Sequence, residues 1–81
     1  MKLAVQLYAR ARDLAGLDQV ELELIEPASI GDVRTALADR IPELAPLTRG
    51  LLIAVGTDYA DDSLTVAAGD TVACFPPVSG G

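Results

Sequence analysis

The chain has no histidine and no tryptophan among its 81 residues, and it has only one cysteine, Cys74. Without histidine, the sequence excludes catalytic triads that use an imidazole base, and it excludes histidine metal sites. A single cysteine can form neither an internal disulfide nor a thiolate metal cluster, and it favours a reducing compartment. We therefore expect that the chain binds no metal and no cofactor, and that acid–base catalysts belong to partner proteins.

Basic residues are scarce, because six Lys and Arg residues stand against twelve Asp and Glu residues, for a formal net charge of −6. This balance argues against nucleic acid as a partner and favours a protein with a basic surface. No apolar run approaches the roughly 18 residues of a membrane span, and no secretory signal pattern is present. We expect a cytoplasmic protein that does not contact a membrane.

Two segments near the start alternate between apolar and polar residues, which is typical of half-buried strands. Residues 2–8 place Leu3, Val5 and Leu7 on one face, and residues 18–24 repeat the pattern. Residues 9–15 favour helix and stop at Gly16, which predicts a short helical turn between the strands. The two strands should pair as an antiparallel hairpin.

One longer helix is predicted after Pro27. Ser29 suits the N-cap position, and Asp32 suits the third helical position, where an acid complements the helix dipole. Apolar residues then recur on one face as far as Ile41, and Pro42 ends the helix. This amphipathic helix should cover one face of the sheet.

The remaining segments predict the rest of the sheet. The apolar run at residues 51–55 indicates a strand that is buried on both faces or central in the sheet. Residues 59–66 should hold one or two short strands, and residues 71–75 a last strand beside the first. The pattern predicts a single α+β domain over residues 1–81, a β-grasp fold with a mixed sheet of about five strands. Its body spans residues 1–75, and a flexible tail spans residues 76–81.

The tail is the most informative segment. Pro76 and Pro77 stiffen the exit from the last strand, whereas Gly80 and Gly81 remove side chains from the tip. Six extended residues reach about 20 Å, so the Gly81 carboxylate could enter the active site of another protein. The alternative is a terminus without a role, since chain ends are usually poorly ordered.

Aromatic residues are limited to Tyr8, Tyr59 and Phe75. Strand parity places Tyr8 and Phe75 on the exposed side of the sheet near the start of the tail, which favours a role in partner binding. A local surface cluster is the alternative, and Tyr59 is equally compatible with either role. Parity turns Cys74 inward, where a cysteine packs as a small hydrophobic residue.

Two segments resemble the MoaD family, the sulfur-carrier small subunits of molybdopterin synthase within the MoaD/ThiS superfamily. Leu7–Gly16 resembles the family's aromatic–Ala–x–x–Arg–acid–Leu–x–Gly segment, and Gly69–Ala73 followed by Phe75–Gly81 looks like its C-terminal signature. The similarity covers essentially the whole chain. Gly56 departs from the family pattern, in which asparagine is frequent, and so does Cys74, but neither lies in the tail.

The resemblance implies a mechanism in which this chain is not an enzyme on its own. A MoeB-like partner would use ATP to adenylate the Gly81 carboxylate, and sulfur from a persulfide would replace AMP to give a thiocarboxylate. The tail would then enter the catalytic large subunit, a MoaE-like protein, and donate sulfur to cyclic pyranopterin monophosphate. Arg12 would pair with an acid of the partner. The resemblance also implies a heterotetramer with the large subunit, whereas the isolated chain should be a monomer. The predicted partner-binding residues are Tyr8, Arg12, Tyr59, Phe75, Pro76, Pro77, Val78, Ser79 and Gly80.

Three other functions remain open at the level of sequence. The chain could be a ThiS-like sulfur carrier for thiamine or another pathway. It could be a ubiquitin-like modifier that joins its C-terminus to lysines of target proteins. It could also be a passive β-grasp adaptor whose tail has no chemical role.

Overall fold

The computed structural model describes residues 1–77, which contain two α-helices and seven β-strands. The elements are β1 (Lys2–Leu7), α1 (Ala9–Ala15), β2 (Gln19–Glu23), β3 (Ala28–Ser29), α2 (Ile30–Arg40), β4 (Leu52–Val55), β5 (Asp58–Tyr59), β6 (Thr65–Val66) and β7 (Val72–Phe75). A 3-10 turn at Pro42–Leu44 follows α2.

Five strands form a mixed sheet in the order β2-β1-β7-β4-β5. The first and last strands, β1 and β7, are parallel neighbours at its centre, and the other pairs are antiparallel. This arrangement confirms the predicted β-grasp fold, including the hairpin and the central position of the last strand. A second sheet of only two strands, β3 and β6, was not predicted as a pair.

The core lies between one face of the five-stranded sheet and α2. Leu3 pairs with Leu22 and Val5 with Val20, so apolar side chains of β1 and β2 stand side by side. The inward residues of β7, β4 and α2 complete a single apolar cluster. Its largest fully buried side chains are Leu3, Leu7, Leu22, Ile30, Leu37, Leu44, Leu51 and Ile53.

The predicted start of α2 is confirmed as a capping box. The Ser29 hydroxyl accepts a hydrogen bond from the Asp32 N–H, and the Asp32 carboxylate accepts one from the Ser29 N–H. Two of the backbone donors at the helix N-terminus are thereby satisfied. The helix ends at Arg40, one residue before the C-cap Ile41 and two before Pro42.

The connection between β1 and β2 is a full seven-residue helix, longer than the single turn that was predicted. Gly16 ends it in the left-handed conformation with φ 72°, which only glycine adopts without strain. β1 stops at Leu7, so Tyr8 caps α1 rather than ending a strand. Ala9 follows with φ 53° and turns the chain sharply there.

The prediction for residues 51–55 was wrong in part. β4 lies between β7 and the edge strand β5, so it is not central. Ile53 is buried on the inner face, but Leu52 on the opposite face is 38% exposed. A run without polar residues lacks the alternation that reveals which face is covered.

The longest described helix, α2, has 11 residues. Within residues 1–77, no helix is both long and apolar enough to cross a membrane.

Candidate functional site

The tail leaves the body from the centre of the sheet. β7 ends at Phe75, Pro76 is half-buried, and Pro77 is exposed. Because β7 pairs with β1 on one side and β4 on the other, the base of the tail is fixed to the most buried strand of the fold. The four predicted site residues Val78, Ser79, Gly80 and Gly81 lie outside the described residues.

Tyr8 and Phe75 form a parallel stack beside the base of the tail. Their ring centroids are 4.8 Å apart, and the ring planes differ by 7°. The backbone fixes this approach, because the Tyr8 N–H donates to the Cys74 carbonyl at 3.2 Å. Tyr8 is 42% exposed and Phe75 is half-buried, so the predicted exposure of this pair is confirmed.

The strand register extends the stack into an apolar patch on the outer face of the sheet. Leu52 stands opposite Phe75 in the neighbouring strand, and residues in register point to the same face. Tyr59 joins the same face through its pairing with Ala54 and is 72% exposed. We call Tyr8, Leu52, Tyr59 and Phe75 the outer patch. Exposed aromatic and aliphatic side chains beside one another are typical of protein-binding surfaces.

The other half of the outer face is polar. Glu21 and Glu23 on β2 are exposed there, and Gln6 on β1 donates to Gln19 at 2.9 Å. Lys2 approaches Glu21 at only 3.9 Å, and both side chains are more than half exposed, so this pair contributes little stability. An acidic margin beside an apolar patch suits a partner with basic residues at the edge of its interface.

Arg12 lies on α1, four residues after Tyr8 and therefore on the same side of that helix. Its Nε atom is 3.8 Å from the neighbouring Asp13 carboxylate, and the side chain is about half exposed. The guanidinium is accessible near the outer patch, as a partner-binding residue must be.

Cys74 points into the core and is fully buried, as strand parity predicted. Burial removes the thiolate from water and raises the pKa of the thiol from 9.0 to about 12, although the positive charge of Arg34 opposes the shift. The thiol is therefore protonated and unreactive at neutral pH. Cys74 is a packing residue and not a sulfur-transfer group.

Two residues near this site were missed from the sequence. Leu52 was hidden in the uniform apolar run of residues 51–55. Arg34 is a lone charge on the mostly buried side of α2, yet it hydrogen-bonds three groups that lie 14 to 28 residues away along the chain. A basic residue between the buried Val33 and Leu37 was the only signal for it.

A mixed sheet with parallel terminal strands and one crossing helix defines the ubiquitin-like β-grasp class. The chain belongs to the ThiS family, whose sequence model matches residues 5–81. It is 37% identical to a molybdopterin synthase sulfur carrier subunit from Haemophilus influenzae, over 98% of this chain and 99% of the relative.

Two solved structures have closely similar folds. A putative molybdopterin converting factor subunit 1 from Pyrococcus furiosus is 32% identical with a TM-score of 0.84, covering 95% of this chain and 98% of that chain. SAMP1 from Haloferax volcanii, a small archaeal modifier protein, is 28% identical with a TM-score of 0.85 and covers both chains completely.

Proposed function

We propose that this chain is a sulfur carrier of molybdenum cofactor biosynthesis and the small subunit of a molybdopterin synthase. The main support is the full-length similarity to a relative that has this name, together with a tail that ends in Gly80 and Gly81. The similarity spans the body and the tail, so it supports both the docking surface and the chemical group.

The proposed chemistry follows from the weak reactivity of a carboxylate. An α-carboxyl group titrates near about 3.5, so the Gly81 carboxylate is ionised at neutral pH and resists nucleophiles. A partner enzyme must first join a carboxylate oxygen to the α-phosphorus of ATP, with pyrophosphate as the leaving group. Persulfide sulfur then attacks the carbonyl carbon and AMP leaves. Cleavage of the S–S bond by a thiol gives the thiocarboxylate.

The body's role in this proposal is to present the tail. The outer patch docks against the catalytic large subunit, and the tail enters its active site to donate sulfur to a cyclic pterin precursor. Two such transfers supply the two sulfur atoms of the dithiolene. The complex is a heterotetramer, and the free carrier is a monomer. A persulfide-dependent step suits a reducing compartment, so we assign the chain to the cytoplasm.

Reconstitution tests this function. Wild-type chain, adenylating enzyme, ATP, a persulfide donor and the large subunit are mixed with the pterin precursor, and dithiolene formation is measured. We expect product with wild type and none after deletion of Gly81, with the melting temperature unchanged. Gly80→Ala should slow the reaction, because a side chain must pass a channel shaped for backbone. Product formation by the truncated chain would refute the proposal.

A second function, protein modification, is supported by the structural similarity to a small archaeal modifier protein. Both functions use the same adenylated carboxylate and differ in the nucleophile, which is sulfur in one case and a lysine amine in the other. Mass spectrometry of cell extract separates them. Isopeptide-linked adducts that end in Gly81 indicate a modifier, whereas the free thiocarboxylate alone indicates a carrier.

A further inference from the structure

Pro77 rests against a residue that has no side chain. Gly50 lies in the turn before β4, and a Cβ atom there would be 3.7 Å from Cγ and 4.0 Å from Cδ of Pro77. The pyrrolidine ring therefore packs over the bare Cα of Gly50 at ordinary van der Waals distance. This contact joins the base of the tail to a segment distant in sequence.

The turn that holds Gly50 is fixed by hydrogen bonds. The Leu47 carbonyl accepts from the N–H groups of Gly50 at 3.0 Å and of Leu51 at 3.1 Å. Arg34 reaches from α2 and donates through Nη1 to the carbonyls of Thr48 at 2.6 Å and Leu51 at 2.7 Å. The same guanidinium pairs with Asp62 through Nε at 2.7 Å, and its side chain is only 18% exposed. Gly50 is thus held rigidly relative to the helix.

The base of the tail is consequently held at two points. Phe75 stacks on Tyr8, and two residues later Pro77 packs on Gly50. The proline rings at 76 and 77 restrict φ between and after these contacts. We infer that Gly50 is a positioning residue, whose missing side chain sets the direction in which the chain leaves the body after Pro77. The inference rests on the proposed function, because direction matters only if a partner must receive the tail.

The geometry predicts how side-chain size at residue 50 acts. A methyl group fits, since 3.7 Å is an ordinary contact distance, so Gly50→Ala should keep Pro77 in place. Isoleucine adds two γ carbons and leaves only one of the three staggered positions empty, so it should displace the ring. Gly50 has no left-handed φ that would itself penalise either substitution.

The test combines kinetics with NMR on the full chain. The adenylating enzyme loads wild type, Gly50→Ala and Gly50→Ile, and NOEs between Gly50 Hα and the Pro77 ring protons are recorded. We expect NOEs and near-normal loading for wild type and Gly50→Ala. For Gly50→Ile we expect no such NOEs, an unchanged melting temperature and a loss in kcat/KM of about tenfold or more, because small displacements of a reacting group are costly.

A double-mutant cycle with Pro77→Ala separates positioning from direct contact with the enzyme. If Gly50 acts through the proline ring, Gly50→Ile should cost much less once the ring is absent. An equal loss in both backgrounds would overturn the inference, as would missing NOEs in wild type or normal loading of Gly50→Ile. If no wild-type chain is loaded, the proposed function fails, and the NOEs alone then decide whether Gly50 holds Pro77.

Discussion

At the scale of single residues, two aromatic rings connect the body with the tail. Tyr8 begins α1 and Phe75 ends β7, so their stack joins the first crossing of the chain to its last strand. Strand parity alone placed both side chains on the outer face, although Tyr8 is a helix cap. Because stacked aromatics at an exposed site contact a partner with little loss of side-chain entropy, they are the residues expected to dominate docking.

Phe75→Ala should weaken binding to the large subunit by about tenfold, whereas the melting temperature falls only slightly, because the ring is not part of the buried core. Calorimetric titration and thermal unfolding measure the two effects. Gln6→Ala, on the polar half of the same face, is the matched control and should change neither. Normal binding combined with a large loss of stability would show that the ring is a core residue.

Cys74 should make the protein sensitive to alkali. Its pKa is raised from 9.0 to about 12 in the folded state, so the unfolded chain loses the proton first. Stability contributed by this group is complete below pH 9.0 and is lost as the pH rises toward 12. Urea unfolding across this range should show a steeper loss for wild type than for Cys74→Ala. Identical pH profiles would contradict the assignment.

At the scale of elements, local signals in the sequence predicted local structure well. Alternation predicted β1 and β2, and Ser29 with Asp32 predicted the start of α2. The β3–β6 pair was not predicted, because two-residue strands are too short to show a period. The role of Arg34 was missed for a related reason: its acceptors lie in distant loops, and only the fold brings them together. The tail was recognisable from sequence because its chemistry requires no tertiary contact.

Removing the capping box should destabilise α2. Ser29→Ala leaves the Asp32 N–H without its acceptor and should lower the free energy of unfolding by about 1 kcal/mol. Ser29→Asp retains an acceptor at the N-cap and should stay close to wild type. Chemical denaturation compares the three proteins, and equal values for alanine and aspartate would argue against a capping contribution.

Arg34 should be a major stabilising contact between elements. Arg34→Met leaves two carbonyls and Asp62 without their donor and should cost about 2–3 kcal/mol. Lysine has no planar fork with which to reach all three groups, so Arg34→Lys should recover only part of this loss. Arg40→Met, at the exposed end of the same helix, is the control. Denaturation midpoints test the order, and a near-neutral Arg34→Met would contradict it.

At the scale of the whole molecule, the fold separates rigidity from chemistry. The tail begins at a central strand whose inward residues Val72 and Cys74 are fully buried, so the body can stay folded while the tail is handled by partners. The apolar outer patch lies beside the start of the tail, with acidic residues along its far margin. Docking and delivery can therefore be achieved by one surface and one terminus, with the catalysts on other proteins.

The central claim is that Gly81 ends in a carboxylate that partners convert to a thiocarboxylate. Intact-mass spectrometry of the protein after incubation with the adenylating enzyme, ATP and a persulfide donor tests it directly. Exchange of oxygen for sulfur should add about 16 Da to wild type, and deletion of Gly81 should prevent the gain. An unchanged wild-type mass, or the same gain in the truncated chain, would contradict the account.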